Sequence, residues 1–245
     1  MKQNEMIFGI RAVLEAIDTG VEIDHIYLKR ETDSEMMKQL LEVIGKRRIP
    51  IRKVPSAKLN RLTRKNHQGI IAIKAATAYH QLDQLIPTLY EEGREPFIVV
   101  LDGITDVHNF GAIARTCECA GVDAIVIFEQ NSVSVTADAI KTSSGALFRI
   151  PVCRESSLPA TLDYLQQSGL KLIGATEKSD ELMYDAPLTG SLAVIMGSEG
   201  KGLSEQTLKR ADHLVRIPMY GDIGSLNVSV ATGILIYEIV RQKNI

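Results

Sequence analysis

Hydrophobic positions along this chain recur at two spacings, and the spacing changes mark the elements. GIRAVLEAIDTG carries Ile10, Val13, Leu14 and Ile17 at helical spacing and closes on Gly20. IDHIYL reads as a strand, and MMKQLLEVIGKR as a helix behind possible caps at Asp33 and Ser34. IPIRKV is a short β-branched strand, Ser56 is placed to cap a brief helix through Leu62, and GIIAIKA is a buried strand. Residues 1–76 thus predict a small unit of alternating α and β elements. Residues 77–95 read as a linker that includes one helix.

The alternation restarts at residue 96. FIVVLDGI, VDAIVIF, LKLIGAT and LAVIMG are apolar almost throughout. Helical segments lie among them: NFGAIARTCECAG, closed by Gly121; TADAIKTSSGAL; and LPATLDYLQQSG, closed by Gly169. Near-continuous apolar strands separated by helices indicate a mostly parallel sheet covered on both faces. The expected fold class is therefore α/β, with residues 96–245 as the domain that carries the chemistry. Ligands of such sheets collect outside the carboxyl ends of the strands.

The last stretch carries two competing patterns. In GSLNVSVATG, Ser225, Asn227 and Ser229 alternate with Leu226, Val228 and Val230, as in a strand. Taken at a period of 3.6 residues, however, Leu226, Val230, Gly233, Ile234 and Tyr237 fall along one side of a helix. The expectation is a loop that becomes the final helix, with Ser225 as its cap and with Asn227 and Ser229 in its first turn, close enough to face a ligand. The run before it, HLVRIPM, reads as a strand ended by Pro218.

Composition narrows the function classes. The chain has 245 residues, 45% of them hydrophobic, enough for one large domain or two small ones. Its net charge is only -2, yet from Val43 to Leu82 there is no Asp or Glu, while Arg47, Arg48, Arg52, Lys53, Arg61, Arg64 and Lys65 fall in that window. A one-sign block inside an acidic chain is the local footprint of a phosphate-binding surface, favoured here over a merely solvated face. With no Trp and 5% aromatics, an extended base-stacking platform is disfavoured. The charged N-terminus and the lack of a long apolar run point to a soluble, cytoplasmic protein. The three cysteines, Cys117, Cys119 and Cys153, have no metal-ligand or disulfide spacing and read as small buried side chains. No metal is expected.

Three loops after apolar strands hold the candidate chemistry. In TDVHNFGAIAR, Asn109 can cap the helix, and Arg115 sits among small and apolar neighbours, where a guanidinium is costly to bury unless paired or aimed at an anion. In GSEGKGL, Gly197, Gly200 and Gly202 permit close backbone approach. The order of that loop fits neither the P-loop nor the dinucleotide fingerprint, and Glu199 would repel a triphosphate. A nucleotide-dependent enzyme is thereby disfavoured, and a neutral or cationic ligand fits better. The third loop is RIPMYGDIGSLNVSVATG.

NFGAIAR, IMGSEGKGLS and IPMYGDIGSLNVSVATGILIYE resemble, in order, the three motifs of the SpoU/TrmH group of SPOUT RNA 2′-O-ribose methyltransferases. FGIRAVLEAI and HQGIIA resemble parts of the small RNA-binding domain of the same enzymes, so the resemblance covers nearly the whole chain. It implies a C-terminal deep trefoil knot, a homodimer packed through the knotted domain, and S-adenosyl-L-methionine as methyl donor. Cofactor contacts are implied around Gly197, Ile217 and Leu226, with Gly202 and Met219 beside them. Arg115, Asn109, Glu199, Ser225 and Asn227 match the polar catalytic positions. The implied reaction is methylation of a guanosine ribose in 23S rRNA. A tRNA ribose methyltransferase and a non-catalytic rRNA-binding assembly protein are the alternatives. The separate N-terminal unit favours rRNA, since the tRNA enzymes of the group commonly lack it.

Overall fold

The computed structural model describes residues 6–30, 35–47 and 49–244. It divides into two compact units, Met1–Ala78 and Tyr79–Ile245. The first contains β1 (Met6–Phe8), α1 (Ile10–Asp18), β2 (Ile23–Lys29), α2 (Glu35–Lys46), β3 (Ile51–Val54), α3 (Ser56–Leu62) and β4 (Ile70–Lys74). The strand order is β1-β4-β2-β3, with β4 antiparallel to both neighbours and β2 parallel to β3. β1 was not expected, because three residues are too few to display a period. Ser56 does not cap α3: Pro55 occupies that position without a side-chain bond, and Ser56 is the first helical residue. Asp33 and Ser34 lie outside the described residues.

Both faces of this sheet are packed. Ile26, Ile70 and Ala72 meet Val13 and Ile17 of α1 and Leu40 and Ile44 of α2. Tyr27, Ile71 and Ile73 meet Val54 and Leu59. The strand period of two sends successive residues to opposite faces, and each buried Leu, Ile or Val contributes roughly 1.5–3 kcal/mol.

The second unit begins earlier than the sequence pattern suggests. The 77–95 segment carries α4 (Leu82–Glu91), whose Leu82 and Ile86 are buried against Ile98 and Val100. The His80 N–H donates to the Val152 carbonyl, so the chain is tied to this unit from Tyr79 onward. Then come β5 (Phe97–Asp102), α5 (Val107–Cys119), β6 (Ala124–Phe128), α6 (Ala137–Thr142), β7 (Val152–Glu155), α7 (Leu158–Gln167), β8 (Lys171–Ala175), β9 (Leu192–Gly197), α8 (Glu205–Leu208), β10 (His213–Val215) and α9 (Val228–Lys243). The strands form one sheet in the order β10-β8-β9-β5-β6-β7, and every pairing is parallel. Val99 and Leu101 of β5 face the core formed with α5 and α9, while Ile98 and Val100 face α4 and α7. The apolar runs of the sequence are thus strands buried on both faces.

The TADAIKTSSGAL segment is not one helix. Ser144 (φ 52°) and Gly145 (φ 86°) take left-handed conformations, which end α6 and start a separate turn of 3-10 helix at Ala146–Phe148. The cysteines divide. Cys117 and Cys153 are buried, and burial, with Glu155 and Asp83 nearby, pushes the Cys153 thiol up to about 12. Cys119, by contrast, is exposed. Among the described residues no helix is long and apolar enough to cross a membrane.

Gly111 marks the tightest contact of α5 with its neighbour α6. A Cβ there would lie 2.6 Å from Thr142 Cβ and 3.0 Å from the Ser143 nitrogen. Gly111→Ala is expected to force the two elements apart and destabilise the second unit by about 1–3 kcal/mol, read by urea denaturation.

Candidate active site

At the carboxyl ends of β8, β9 and β10 the chain leaves a cavity of about 440 Å³. Its floor is apolar: Met196, Val215, Val228 and Leu235 are buried core residues that also line it. Its rim comes from three loops, Ala175–Lys178 after β8, Gly197–Gly202 after β9, and Ile217 with Met219 and Gly224–Asn227 before α9. Five expected cofactor positions, Gly197, Gly202, Ile217, Met219 and Leu226, all line it, as do Glu199, Ser225 and Asn227.

Glycine makes the β9 loop possible. Ser198 and Gly202 exchange backbone hydrogen bonds of 3.1 and 2.8 Å, closing a tight reversal with Gly200 and Gly202 at positive φ. A Cβ on Gly197 would lie 2.2 Å from the Gly202 carbonyl carbon, so no larger residue fits this path. Behind the loop, the buried Asp102 carboxylate accepts from the Ser204 N–H at 2.8 Å and the Thr207 hydroxyl at 2.7 Å, fixing where the chain re-enters the fold.

Both expected helix caps are corrected. Asp106, not Asn109, caps α5: its carboxylate accepts the Asn109 N–H at 2.8 Å. Asn227, not Ser225, caps α9, accepting the Ser229 N–H at 2.9 Å and the Ser229 hydroxyl at 2.5 Å. Capping needs an acceptor, so the amide oxygen of Asn227 faces the helix and its NH2 must face away. That NH2 donates to Glu199 Oε1 at 2.8 Å and to Asn109 Oδ1 at 3.0 Å. The Asn109 NH2 donates to the same Glu199 oxygen at 2.9 Å. One carboxylate and two amides thereby tie the first turn of α5, the loop after β9 and the start of α9 together at the cavity edge.

Arg115 stands apart. It is exposed on α5 and does not line the cavity, so its guanidinium avoids the cost that burial among its small and apolar sequence neighbours would carry. At about 100° per residue it lies roughly 240° around the helix from Asn109, so the two cannot share a face. The loop after β8, with Thr176, Glu177 and Lys178, was missed by sequence reasoning although it lines the cavity. Its signal was available, since LKLIGAT was already a buried parallel strand and its carboxyl end is where ligands collect. In the first unit, Arg47, Arg52, Lys53, Arg61, Arg64 and Lys65 are all exposed, and Arg48 lies outside the described residues. The Lys65 ammonium lies 5.4 Å from the Phe8 ring centroid. Among the described residues, no group of His, Cys, Asp and Glu side chains is arranged to hold a metal ion.

An all-parallel sheet with a partly polar cavity at its strand ends, hemmed by a glycine loop and an amide–carboxylate network, defines an α/β protein that holds a small organic ligand. The chain belongs to the SpoU rRNA methylase family, whose model matches residues 96–237. A second model, RNA 2′-O ribose methyltransferase substrate binding, matches residues 6–80. The chain is 37% identical, over 98% of its length and 98% of the relative's, to the 23S rRNA (guanosine-2′-O-)-methyltransferase RlmB of Vibrio vulnificus (strain CMCP6). It shares its fold with the SpoU methyltransferase AviRb from Streptomyces viridochromogenes, crystallised in complex with AdoMet (TM-score 0.61, 24% identity, 97% of this chain and 89% of that one). The A. aeolicus TrmH/SpoU tRNA modifying enzyme aligns with 66% of this chain and 83% of its own (TM-score 0.56, 28% identity).

The network explains an asparagine at 227. Asp would cap α9 equally well but would set a second carboxylate against Glu199. Asn227→Asp is expected to lower Tm by about 2–4 °C at pH 7. Like charge raises the carboxyl pKa of such a pair, so the penalty is full above both pKa values and fades as pH falls and one group protonates. Thermal melts at pH 7 and pH 4 compare the wild-type deficit, which should shrink at the lower pH.

Proposed function

We propose that this protein transfers the methyl group of S-adenosyl-L-methionine to the ribose 2′-hydroxyl of a guanosine in 23S rRNA. One observation carries the reading: the glycine loop and the loop before α9 meet at a single cavity, where Asn109 is hydrogen-bonded to the lining residues Glu199 and Asn227, in a chain that belongs to the SpoU rRNA methylase family. The Vibrio relative, similar along nearly its whole length, is named for that reaction. The N-terminal unit supports rRNA over tRNA, since it matches a substrate-binding model over residues 6–80 and the A. aeolicus tRNA enzyme aligns with only part of this chain.

The cavity fits the methyl donor. Its volume of about 440 Å³ lies within the usual range for small-molecule sites of about 300–1,000 Å³. Met196, Ile217, Leu226 and Leu235 offer apolar surface for a purine, and Glu177 and Glu199 offer negative charge to a sulfonium cation. When bound, S-adenosyl-L-methionine supplies an electrophilic methyl group. Gly197, Gly202, Ile217, Met219 and Leu226 hold it, largely through backbone. Glu199, fixed by the two amides, favours the cationic donor over its neutral product. Asn109, Ser225 and Asn227 hold the loops and the incoming ribose in register, and such positioning supplies several kcal/mol of the barrier.

A ribose hydroxyl is a weak nucleophile; the residue assigned to activate it, on its match to the family's first motif, is Arg115, which would meet the RNA from the exposed side of α5 and not from the cavity wall. Guanidinium hardly deprotonates, so Arg115 serves as a stabiliser of the forming alkoxide and the neighbouring phosphate, not as a base. The proton leaves to phosphate or water. No metal enters the step.

The basic side chains Arg47, Arg52, Lys53, Arg61, Arg64 and Lys65, together with Arg48, hold the RNA backbone by charge. The protein acts as a homodimer. The stripe that a period of 3.6 brings to one side of the last helix faces outward: Val230 is 51% exposed, Ile234 36% and Tyr237 52%. Its inner side carries Val228, Leu235, Ile236 and Ile239. A helix apolar on both sides needs a second partner, and a second copy of this chain supplies it. The reading carries with it the family's deep trefoil knot over the C-terminal elements and a cytoplasmic location, where rRNA is made and assembled.

Arg115→Ala is expected to lower kcat for tritiated methyl transfer to 23S rRNA by about 10²–10³-fold, with S-adenosyl-L-homocysteine binding unchanged by calorimetry. Near wild-type turnover sinks the assigned role. Wild-type protein that binds RNA but not S-adenosyl-L-homocysteine supports a non-catalytic assembly protein instead. Val230→Glu is expected to convert a dimer into a monomer, measured by size exclusion with light scattering.

A further inference from the structure

The loop that joins β10 to α9 contributes Met219 and Gly224–Asn227 to the cavity. Between those lining residues it also carries Tyr220, the most exposed large apolar side chain among the described residues, at 94%. A ring so fully in water contributes nearly nothing to the fold, because burial is what makes an aromatic side chain stabilising. It is flanked by Gly221 and, further on, Gly224, and a Cβ at either glycine would meet nothing within 4 Å. The ring therefore stands clear of its own chain, on a loop residue next to the lining residue Met219. Of the other exposed aromatics among the described residues, Tyr90 donates its hydroxyl to the Ser168 carbonyl, Tyr237 belongs to the outer stripe of α9, Phe148 follows α6, far along the chain from any lining residue, and Tyr184, in the β8–β9 connection, is little more than half exposed and does not line the cavity.

Chemistry at the cavity edge imposes a need on what lies just outside it. A ribose that presents its 2′-hydroxyl beside Glu199 and Asn227 carries its base one glycosidic bond away, so the base must lie at the cavity mouth. A nucleotide offered this way has left its neighbours' stacks and lost that stabilisation. Proteins that read single-stranded RNA commonly replace the lost stack with an aromatic face. Every base has a π-face, so one ring suffices and no hydrogen-bond code is required.

We propose that Tyr220 is a positioning residue whose ring stacks on a nucleobase of the RNA, at or next to the nucleotide whose ribose enters the cavity. This rests on the reading of the cavity as the site of ribose methylation. The stacking gives the base a defined plane, which orients the ribose relative to the cavity. The ring's role is separate from holding the methyl donor, which is left to Met219 and the backbone of residues 224–226.

The test measures methyl transfer to a 23S rRNA transcript by wild type, Tyr220→Ala, Tyr220→Phe and Tyr220→Trp. S-adenosyl-L-homocysteine affinity and solution mass are measured for each variant. Tyr220→Ala is expected to raise KM for RNA roughly 5- to 150-fold, with Phe and Trp restoring it, and with cofactor affinity and mass unchanged. A KM unmoved by Tyr220→Ala in an active enzyme overturns the proposal alone. So does weakened S-adenosyl-L-homocysteine binding, which assigns the ring to covering the cofactor, or a loss of dimer mass, which assigns it to the interface between copies. A wild-type protein that methylates no RNA overturns the parent reading, and this proposal with it.

Discussion

The side-chain amide of Asn227 is the constraint on which the site depends. Its oxygen is committed to the N-terminus of α9, because the first N–H groups of a helix have no partner of their own. Its NH2 is thereby aimed at Glu199 and Asn109. Only an amide offers an acceptor on one side and donors on the other: Ser lacks the second donor, and Asp has none. Three segments that are far apart in sequence are joined through this one group, and the position of the final helix and the shape of the cavity edge become one variable.

The network is effective because the parts behind it are rigid. Gly197 packs against the backbone of Gly202 at a distance no Cβ would allow, and Asp102 grips the chain again at Ser204 and Thr207. Glu199 therefore sits at the tip of a loop held at both ends. Rigid placement of a negative group is what the proposed chemistry asks for, since electrostatic selectivity depends on charges that do not rearrange when the ligand arrives.

The surfaces left uncovered fit the same reading. The first unit concentrates cations on exposed positions of β3, α3 and the loop after it, with no acidic residue from Val43 to Leu82 to neutralise them. The second unit leaves apolar side chains exposed along α9 and at the cavity mouth. Such groups gain only when covered. In the proposed function a phosphate backbone, a second copy and a nucleobase are the three coverings, each matched to the chemistry of its patch.

By itself the sequence marked the central strands of the sheet, since strands buried on both faces must be apolar at every position, and FIVVLD and LAVIMG are; it missed the edge strand β7, whose VCRE ends in two charged residues. Its glycines after such strands allowed close backbone approach, and the family resemblance, not the spacing, named Gly197, Gly202, Ile217, Met219 and Leu226, which line one cavity. It could not decide which polar residue caps a helix. Asp106 and Asn227 displaced Asn109 and Ser225, a choice set by where each helix is placed by packing and not by local preference. Nor could it decide which apolar stripe of α9 faces inward. Both sides of that helix are apolar, so periodicity is satisfied either way, and only the sheet beneath it, with α5 alongside, selected Leu235, Ile236 and Ile239 for the core. Composition and period act along the chain and fix what each segment can become. The facing of a helix and the aim of an amide depend on partners distant in sequence, and only the tertiary structure brings those partners together.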